Sequence, residues 1–420
     1  MNPGRVVVAG GGLAALRTAE ELRARGYQGQ VTILAAEPRP PYDRPPLSKQ
    51  VLMAPPDAEP DTTLKADVDA LGIDLHLGEA VTGAEIAVQP GGGAAGKTAG
   101  EAAGSSPAEL RGTVRTARGT YPFGCLVAAT GAVPVRLPGT GRQRVLRTHD
   151  DAMALRGLLR PGLRLAVVGA GWIGAELATA AAAHGCRVTV VEAAAAPLAA
   201  AVGAEVGNRT ARWYAETGVD LRTCQAVESV ADGGLVLPGG GWLAADEVVT
   251  AVGVRPCVDW LAGSGVRLED GVAADEGMRA SVPGVYAVGD CASFVSRRFS
   301  RRLRFEHWDV ALHAPEVAAA NILGGDEVYD PVPYFWSEQF GRMVQYAGYH
   351  GAADRLTWRG DPDGGRWAAC WLSGERLAAI LTVDSPRDLV QGRRLIASGT
   401  PVDEGLLADP AVPVRNATAA

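Results

Sequence analysis

The sequence predicts an α/β fold with two Rossmann-like nucleotide-binding domains, the second inserted in the first, and a C-terminal α+β domain. A glycine-rich fingerprint follows a short apolar strand at residues 6–15, and a second one follows another at 165–174. Such strand–glycine–helix units are typical of dinucleotide-binding domains. From about residue 327, tryptophans alternate with β-forming residues, which predicts an antiparallel sheet.

Both fingerprints suit a bound pyrophosphate. Glycine has no Cβ, so backbone N–H groups can approach a phosphate, which then lies at the positive N-terminus of the helix. Each unit also ends its next strand in an acid, Glu37 or Glu192, that can accept a hydrogen bond from a ribose 2′-OH. Two complete units predict two dinucleotides and electron transfer between them. The fingerprint positions are Gly10, Gly12, Leu13, Ala14 and Ala15, and then Gly169, Gly171, Trp172, Ile173 and Gly174.

Length and composition exclude several other classes of protein. A chain of 420 residues has room for two or three domains, and a net charge of −7 argues against a general nucleic-acid binder. The sequence has no apolar run long enough to span a bilayer, and a strand predicted from Val6 leaves no room for a signal peptide. Six cysteines without a CxxC pair predict neither a zinc site nor a disulfide framework. We therefore expect a cytoplasmic protein.

The pattern along the chain divides it into domains. We expect a split first nucleotide domain at 1–140 and 265–326, a second at 141–264 and a C-terminal domain at 327–420. Within these, the sequence predicts a proline-rich loop at 38–46, strands at 73–88, a flexible Gly/Ala/Ser-rich loop at 91–107, a buried strand at 123–131 with an echo at 247–256, a helix after Pro197 and a strand ending in Gly289-Asp290.

Five further motifs add a specific resemblance: Pro41–Lys49, Ala129–Gly131, Gly284–Asp290, Glu306–Trp308 and Phe335–Gln339. With them, nearly the whole chain resembles the FAD-dependent ferredoxin reductases that serve cytochromes P450 and Rieske-type oxygenases. The resemblance implies a glutathione-reductase-like architecture, with FAD at the first fingerprint and NAD(P)H at the second.

The resemblance also implies which residues hold the two cofactors. Arg44 suits a pyrophosphate, because its planar fork is permanently charged. A helix after Trp308 would stabilise charge on reduced flavin, although Pro315 predicts that this helix starts late. Besides the fingerprint positions, the expected cofactor contacts are Glu37, Arg44, Lys49, Val81, Ala129, Thr130, Gly131, Gly289, Asp290, His307, Trp308, Glu176, Glu192, Val252 and Gly253.

Lys49 and Glu176 are the expected catalytic pair. Similar reductases pair a lysine near flavin N5 with a glutamate two residues after the second fingerprint, and Glu176 has that spacing. The alternative is a solvated lysine and a separate glutamate on a helix face. Trp336 is a third expected catalytic residue, because the resemblance implies that it lies beside the flavin; the alternative is a core tryptophan of the C-terminal sheet.

Electrons must then leave the flavin directly. Disulfide reductases of this fold carry a redox cysteine pair where this chain has Pro45 to Lys49. A run of arginines is a candidate docking surface for an acidic ferredoxin, and the alternative is a solvated charged face. Relatives often carry arginines at positions 133 and 135, where this chain has valines, so an FAD contact is expected to be missing or replaced. The arginines of the run are Arg297, Arg298, Arg301, Arg302 and Arg304.

These patterns predict an FAD-dependent NADH:ferredoxin oxidoreductase. We expect NADH rather than NADPH, because Glu192 is followed by alanines that cannot neutralise a 2′-phosphate. Two alternatives remain open. One is an NADH oxidase or quinone reductase, and the other is a binding flavoprotein, similar to apoptosis-inducing factor, whose reduction by NADH controls association.

Overall fold

Parallel strands alternate with helices through most of the chain, and antiparallel strands follow. The computed structural model describes residues 3–55, 58–89 and 109–419. The loop expected at 91–107 lies outside the described residues. The strands are β1 (Val6–Ala9), β2 (Val31–Leu34), β3 (Ile73–His76), β4 (Val81–Gln89), β5 (Glu109–Thr116), β6 (Thr120–Phe123), β7 (Cys125–Ala128), β8 (Ala132–Pro134), β9 (Arg164–Val168), β10 (Arg187–Val191), β11 (Asp220–Arg222), β12 (Ser229–Ala231), β13 (Gly234–Leu237), β14 (Gly241–Ala244), β15 (Glu247–Thr250), β16 (Val254–Pro256), β17 (Val272–Ala273), β18 (Val285–Ala287), β19 (Ala292–Ser296), β20 (Arg301–Leu303), β21 (Tyr334–Gln339), β22 (Arg342–Gly348), β23 (Arg355–Gly360), β24 (Trp367–Ser373) and β25 (Arg376–Val383).

Helices connect and cover these strands. They are α1 (Leu13–Ala24), α2 (Gln50–Met53), α3 (His149–Arg156), α4 (Trp172–Ala183), α5 (Ala199–Val202), α6 (Ala204–Glu216), α7 (Trp308–Ile322), α8 (Pro386–Ser398) and α9 (Glu404–Ala408). A 3₁₀ helix covers Pro45–Ser48, so the last two residues of the loop predicted at 38–46 are helical instead. The physical reason is that proline has the φ angle of a helix and suits its first turn.

Two parallel sheets repeat one design. The first has the strand order β18-β7-β1-β2-β3, and the second has the order β11-β10-β9-β15. The residues of β1 are fully buried, which explains why this strand is continuously apolar rather than alternating. In both sheets, the strand before the fingerprint lies between two parallel neighbours. The predicted pair of Rossmann-like domains is confirmed.

The C-terminal sheet is antiparallel, with the strand order β21-β22-β25-β24-β23. One face packs on α8, where Ile380 meets Leu389 and Ile396 in a buried cluster. The other face joins the core of the second nucleotide domain, which includes Trp371 and Leu177. Because side chains alternate between the two faces along each strand, both faces of the sheet are buried. The predicted C-terminal α+β domain is confirmed.

Contacts divide the chain into two compact units. The first unit comprises Met1–Asp43, Thr63–Val133 and Pro256–Asp330. The second comprises Arg44–Thr62, Pro134–Arg255 and Pro331–Ala420. The second unit thus contains the second fingerprint, the C-terminal sheet and the segment with Lys49. The three-domain boundaries drawn from the sequence remain predictions.

The expected late start of the helix after Trp308 is wrong. Helix α7 begins at Trp308 and continues through Pro315 to Ile322. Proline costs the helix one backbone hydrogen bond. Pro315 is buried, as are Val310 and Val317, and α7 packs on α1. Burial of this face stabilises the helix enough to offset the lost bond.

No helix within the described residues is both long and apolar enough to cross a membrane. In the same part of the chain, no group of three or more His, Cys, Asp or Glu side chains could hold a metal ion. All six cysteines are free, and three of them, Cys125, Cys291 and Cys370, are buried.

Candidate active site

Both fingerprint helices begin at a glycine that leaves the helix terminus open. Gly12 caps α1 and Gly171 caps α4, and neither helix has an acid in its first turn. Among the described residues, apart from the adjoining chain, no heavy atom lies within 4 Å of an ideal Cβ on either glycine. By contrast, the Thr148 side chain caps α3. The N–H groups that start α1 and α4 are therefore suited to a phosphate.

The glycine before each open cap is required for a different reason. Gly10 has a φ of +127° and Gly169 has a φ of +100°, in the region that other residues rarely adopt. A Cβ on Gly10 would run into the carbonyl of Ala129, and one on Gly169 would run into that of Ala251. The two sites thus share one construction, in which the neighbouring parallel strand closes on the fingerprint turn.

The two ribose acids are held in place. The Glu192 carboxylate accepts hydrogen bonds from the N–H of Ala170 at 2.7 Å and from that of Ala194 at 2.8 Å. Glu37 accepts a hydrogen bond from the Tyr42 hydroxyl at 2.6 Å. Each carboxylate is therefore fixed near its fingerprint, where the sequence predicts a ribose. The Tyr42 contact was not foreseen.

The first unit brings two of the resembling motifs together. The Trp308 indole donates a hydrogen bond to Asp43 at 2.7 Å, and the neighbouring His307 stacks on Phe305 with ring centroids 5.1 Å apart. Burial lowers the pKa of His307 to about 4, against the opposing effect of the negative Asp290. The imidazole is therefore neutral at pH 7.

Other predicted FAD contacts lie at turns of the first unit. The Thr130 hydroxyl donates to the carbonyl of Cys257 at 2.5 Å, which ties the Ala129–Gly131 turn to the chain beyond β16. Gly289 has a φ of +70°, and a Cβ there would lie 3.1 Å from the Cβ of Ala14 on α1. Asp290 follows in a short 3₁₀ turn, and Val81 is the first residue of β4.

The second unit brings Lys49 and Glu176 together. The Lys49 ammonium lies 2.9 Å from Glu176 Oε2, and the two side chains are 15% and 4% exposed. The Ser48 hydroxyl donates to the same oxygen, and the Ser337 hydroxyl donates to Oε1 at 2.6 Å. Donors of this kind and a neighbouring cation stabilise an ionised carboxylate. The result is a buried charge pair at the first turns of the second fingerprint helix.

Strand β21 places aromatic residues on both of its faces. Phe335 contacts the fingerprint residue Trp172, with ring centroids 4.5 Å apart. Trp336 points to the opposite face, since side chains alternate along a strand, and it stacks with Tyr334 at 6.0 Å. Trp336 therefore does not join the group around Glu176.

Other predicted positions in the second unit have separate surroundings. Arg44 donates to the carbonyl of Arg147 at 2.6 Å. Val252 is 37% exposed, and Gly253 has a φ of +100°. Val135, at one of the positions where relatives often carry arginine, is also exposed.

Acidic residues counter much of the arginine run. Arg297 pairs with Glu276 at 2.7 Å, and Arg304 pairs with Asp270 at 3.1 Å. Arg302 lies 3.4 Å from Glu269 and also donates to the carbonyls of Ala274 and Ser293. The cationic surface is thus narrower than the sequence indicated. Arg297, Arg298 and Arg301 are the exposed members of the run.

The paired fingerprints and their fixed ribose acids define a dinucleotide-dependent oxidoreductase. The model of the family described as pyridine nucleotide-disulphide oxidoreductase matches residues 4–314, and that described as reductase C-terminal matches residues 334–418. The chain belongs to the pyridine nucleotide-disulphide oxidoreductase family, whose reductases of this kind depend on FAD and use NAD(H). The open caps of α1 and α4 fit two such dinucleotides.

Several known proteins are similar to this chain over nearly its full length. It is 36% identical to the ferredoxin–NAD(+) reductase component of the anthranilate 1,2-dioxygenase system from Burkholderia cepacia, over 99% of each chain. The solved structure of Fdr9 is 46% identical, with a TM-score of 0.88 over 98% of this chain and 99% of that one. Putidaredoxin reductase in its covalent complex with putidaredoxin is 28% identical, with a TM-score of 0.85 over 98% and 97%. The resemblance stated from the motifs is confirmed.

Proposed function

We propose that this protein passes electrons from NADH through FAD to a ferredoxin that serves a cytochrome P450 or a Rieske-type oxygenase. The observation that carries the proposal is the buried Lys49–Glu176 pair at the start of α4, in a chain that matches ferredoxin reductases over its full length. When bound, FAD accepts two electrons from NADH and releases them one at a time.

The protein's own groups bind and align the reactants. The N-termini of α1 and α4 receive the two pyrophosphates, and Glu192 holds the nicotinamide-side dinucleotide by its ribose. We assign Lys49 and Glu176, a largely buried pair, to the point where nicotinamide meets flavin. Electron transfer from NADH requires alignment and exclusion of water rather than a general acid, and a rigid buried pair provides both.

The three buried cysteines do not provide a thiolate relay. Burial raises the pKa of Cys291 to about 11 and that of Cys370 to about 12, and burial also raises the pKa of Cys125. Buried thiols of this kind stay protonated and unreactive at neutral pH. This supports direct release of electrons from the flavin to an external acceptor. We place the reaction in the cytoplasm, where free cysteines persist and NADH is available.

Stopped-flow spectroscopy of the flavin tests the proposal. The FAD-loaded protein is reduced with NADH and then mixed with oxidised ferredoxin, with a quinone or with oxygen. The absorbance of the flavin is followed in each case. We expect rapid reoxidation by ferredoxin and slow reoxidation by oxygen and quinone. Fast reoxidation by oxygen or quinone identifies the oxidase or quinone reductase instead. Slow reoxidation by all three acceptors, together with NADH-dependent association, identifies the binding flavoprotein.

A further inference from the structure

Strand β21 of the C-terminal sheet and the residue after it contact helix α4 at three places. Phe335 contacts Trp172, Ser337 contacts Glu176, and the N–H of Phe340 donates to Thr179 Oγ1 at 3.0 Å. From Trp172 to Glu176 the helix rises about 6 Å, and from Phe335 to Ser337 the strand rises about 6.6 Å, so the first two contacts are matched in spacing. The C-terminal sheet therefore contacts the fingerprint helix beside the charge pair.

The two oxygens of Glu176 have donors from different parts of the chain. Oε2 accepts from Ser48 and Lys49, which lie in the segment before α2. Oε1 accepts from Ser337, and the described residues contain no second donor to this oxygen. Loss of the Ser337 hydroxyl would leave Oε1 buried without a partner and the carboxylate held at one oxygen only.

Gln339 fixes the direction of the Ser337 hydroxyl. Its side-chain amide donates to Ser337 Oγ at 3.0 Å, and both residues are buried. A serine hydroxyl has one proton to donate. With Gln339 donating to the oxygen of Ser337, that proton is directed at Glu176. Gln339 thus donates to Ser337, and Ser337 donates to one oxygen of the Glu176 carboxylate, while Lys49 donates to the other oxygen.

We propose that Ser337 is a positioning residue for electron transfer from NADH. By holding Glu176 Oε1, the C-terminal sheet fixes the carboxylate and, through it, the ammonium of Lys49. This inference rests on the proposed function, because it assigns Lys49 and Glu176 to the nicotinamide–flavin junction. It gives the C-terminal domain a part in the NADH half of the reaction.

The test is Ser337→Ala, followed by stopped-flow reduction of the FAD-loaded protein with NADH alone. We expect the limiting rate of flavin reduction to fall about tenfold, as for loss of one hydrogen bond to a buried carboxylate. We expect FAD content and the Kd for NAD(+), measured by calorimetry, to stay close to wild type, and thermal stability to fall modestly, because a buried carboxylate oxygen loses its donor. Ser337→Thr, which keeps the hydroxyl, restores most of the rate.

A matched serine provides the control. Ser296 is also buried, and its hydroxyl donates to the Asp330 carboxylate at 2.6 Å, but it lies on β19 in the first unit. Ser296→Ala removes the same kind of hydrogen bond, so we expect lower stability with an unchanged rate of flavin reduction. In a Glu176→Gln background, Ser337→Ala should have little further effect on that rate, because the carboxylate that it positions is gone.

Three results overturn the proposal. They are reduction of the Ser337→Ala protein at the wild-type rate, a loss that Ser337→Thr does not rescue, and a full additional loss in the Glu176→Gln background. Reduction by NADH is measured without ferredoxin. Failure of the proposed function, which is slow reoxidation of the wild type by ferredoxin, is therefore distinguishable from failure of this inference.

Discussion

At the residue scale, we expect Glu192 to select the dinucleotide by charge. Both of its oxygens are held by backbone N–H groups, so the carboxylate cannot turn away from a 2′-phosphate. Repulsion between like charges of this kind costs on the order of a few kcal/mol. We expect kcat/KM to favour NADH over NADPH by about 100-fold, and Glu192→Ala to reduce that preference to about tenfold or less.

Steady-state rates with both nucleotides check this expectation. Asp220→Ala is the matched control, since it removes an exposed acid from β11 of the same unit and leaves the fingerprint turn intact. Equal use of NADPH by the wild type would contradict the role given to Glu192.

Lys49 and Glu176 should behave as one unit. Removing one partner of a buried pair leaves the other charge uncompensated. Lys49→Met and Glu176→Gln should each slow flavin reduction by NADH at least about tenfold, and the double variant should lose less than the product of the two effects. Stopped-flow reduction of all three variants measures the coupling.

The Arg144–Glu247 ion pair, at 2.7 Å in the same unit, is the control for this cycle. Its replacement by Met and Gln should leave the rate of flavin reduction unchanged. Strictly multiplicative effects of the Lys49 and Glu176 replacements would mean that the two residues act independently.

His307 makes stability depend on pH in a defined window. Burial lowers its pKa from 6.5 to about 4, so the unfolded chain binds this proton more tightly than the folded protein. The stabilising contribution is complete above pH 6.5 and is lost as the pH falls towards 4, by about 3 kcal/mol in all. Urea unfolding of His307→Gln should therefore show a flatter acid limb than wild type.

The half-exposed His313 on α7 serves as the comparison for this measurement. His313→Gln should keep the steep acid limb of the wild type. An identical slope in the His307 variant would show that other groups cause the acid sensitivity.

At the element scale, the units with a local signal could be predicted and the long-range contacts could not. The strand, fingerprint and acid of each β-α-β unit lie within about 30 residues, so periodicity and spacing identify them. Ser337 lies 161 residues from Glu176, and no local pattern marks a serine as a partner of that carboxylate. The charge of the predicted arginine run is countered for a similar reason. Three acids that lie outside the run in the sequence pair with its arginines in the fold, namely Glu269, Asp270 and Glu276. The start of α7 was predicted wrongly for the opposite reason. The local helix-breaking preference of Pro315 is outweighed by burial of the helix face on which it lies.

Arg359 fastens the end of the chain to the C-terminal sheet. Its guanidinium is 4% exposed and pairs with Asp388 on α8 at 2.9 Å. It also donates to the carbonyls of Leu407, Asp409 and Val412, so every N–H of the fork is used. Arg359→Lys keeps the charge but loses the fork, and we expect the free energy of unfolding to fall by about 3 kcal/mol.

Arg355→Lys tests whether the geometry, rather than the charge, is responsible. Arg355 lies on the same strand and pairs with Glu404 at 3.2 Å, but it is exposed. Exposed pairs contribute about 1 kcal/mol or less, so the change in unfolding free energy should be small. Equal losses of unfolding free energy in the two variants, measured with urea, would show that the fork geometry of Arg359 contributes no more than an exposed ion pair.

At the scale of the whole molecule, the distribution of charge limits where an acidic partner can dock. The chain carries a net charge of −7, which repels an acidic ferredoxin at long range. Within the arginine run, Arg297, Arg302 and Arg304 are each countered by an acid. Steering must then depend on local exposed cations, and the exposed arginines of this run are Arg297, Arg298 and Arg301. Arg302 is a poor choice for charge reversal, since two carbonyls depend on its guanidinium.

Charge reversal at Arg298 and Arg301 tests the docking surface. We expect Arg298→Glu with Arg301→Glu to slow ferredoxin reduction about tenfold at low salt, because steering of charged partners raises association rates by at least that factor. Ferricyanide reduction, which needs no docking surface, should be nearly unchanged. Added salt should slow the wild type with ferredoxin much more than the variant, since screening removes a steering force that the variant already lacks.

Arg366→Glu with Arg376→Glu changes the net charge equally at exposed positions of the other unit, and this control should retain most of the ferredoxin rate. If both double variants lose the same rate, net charge rather than a local surface governs docking, and if neither loses rate, ferredoxin docks elsewhere.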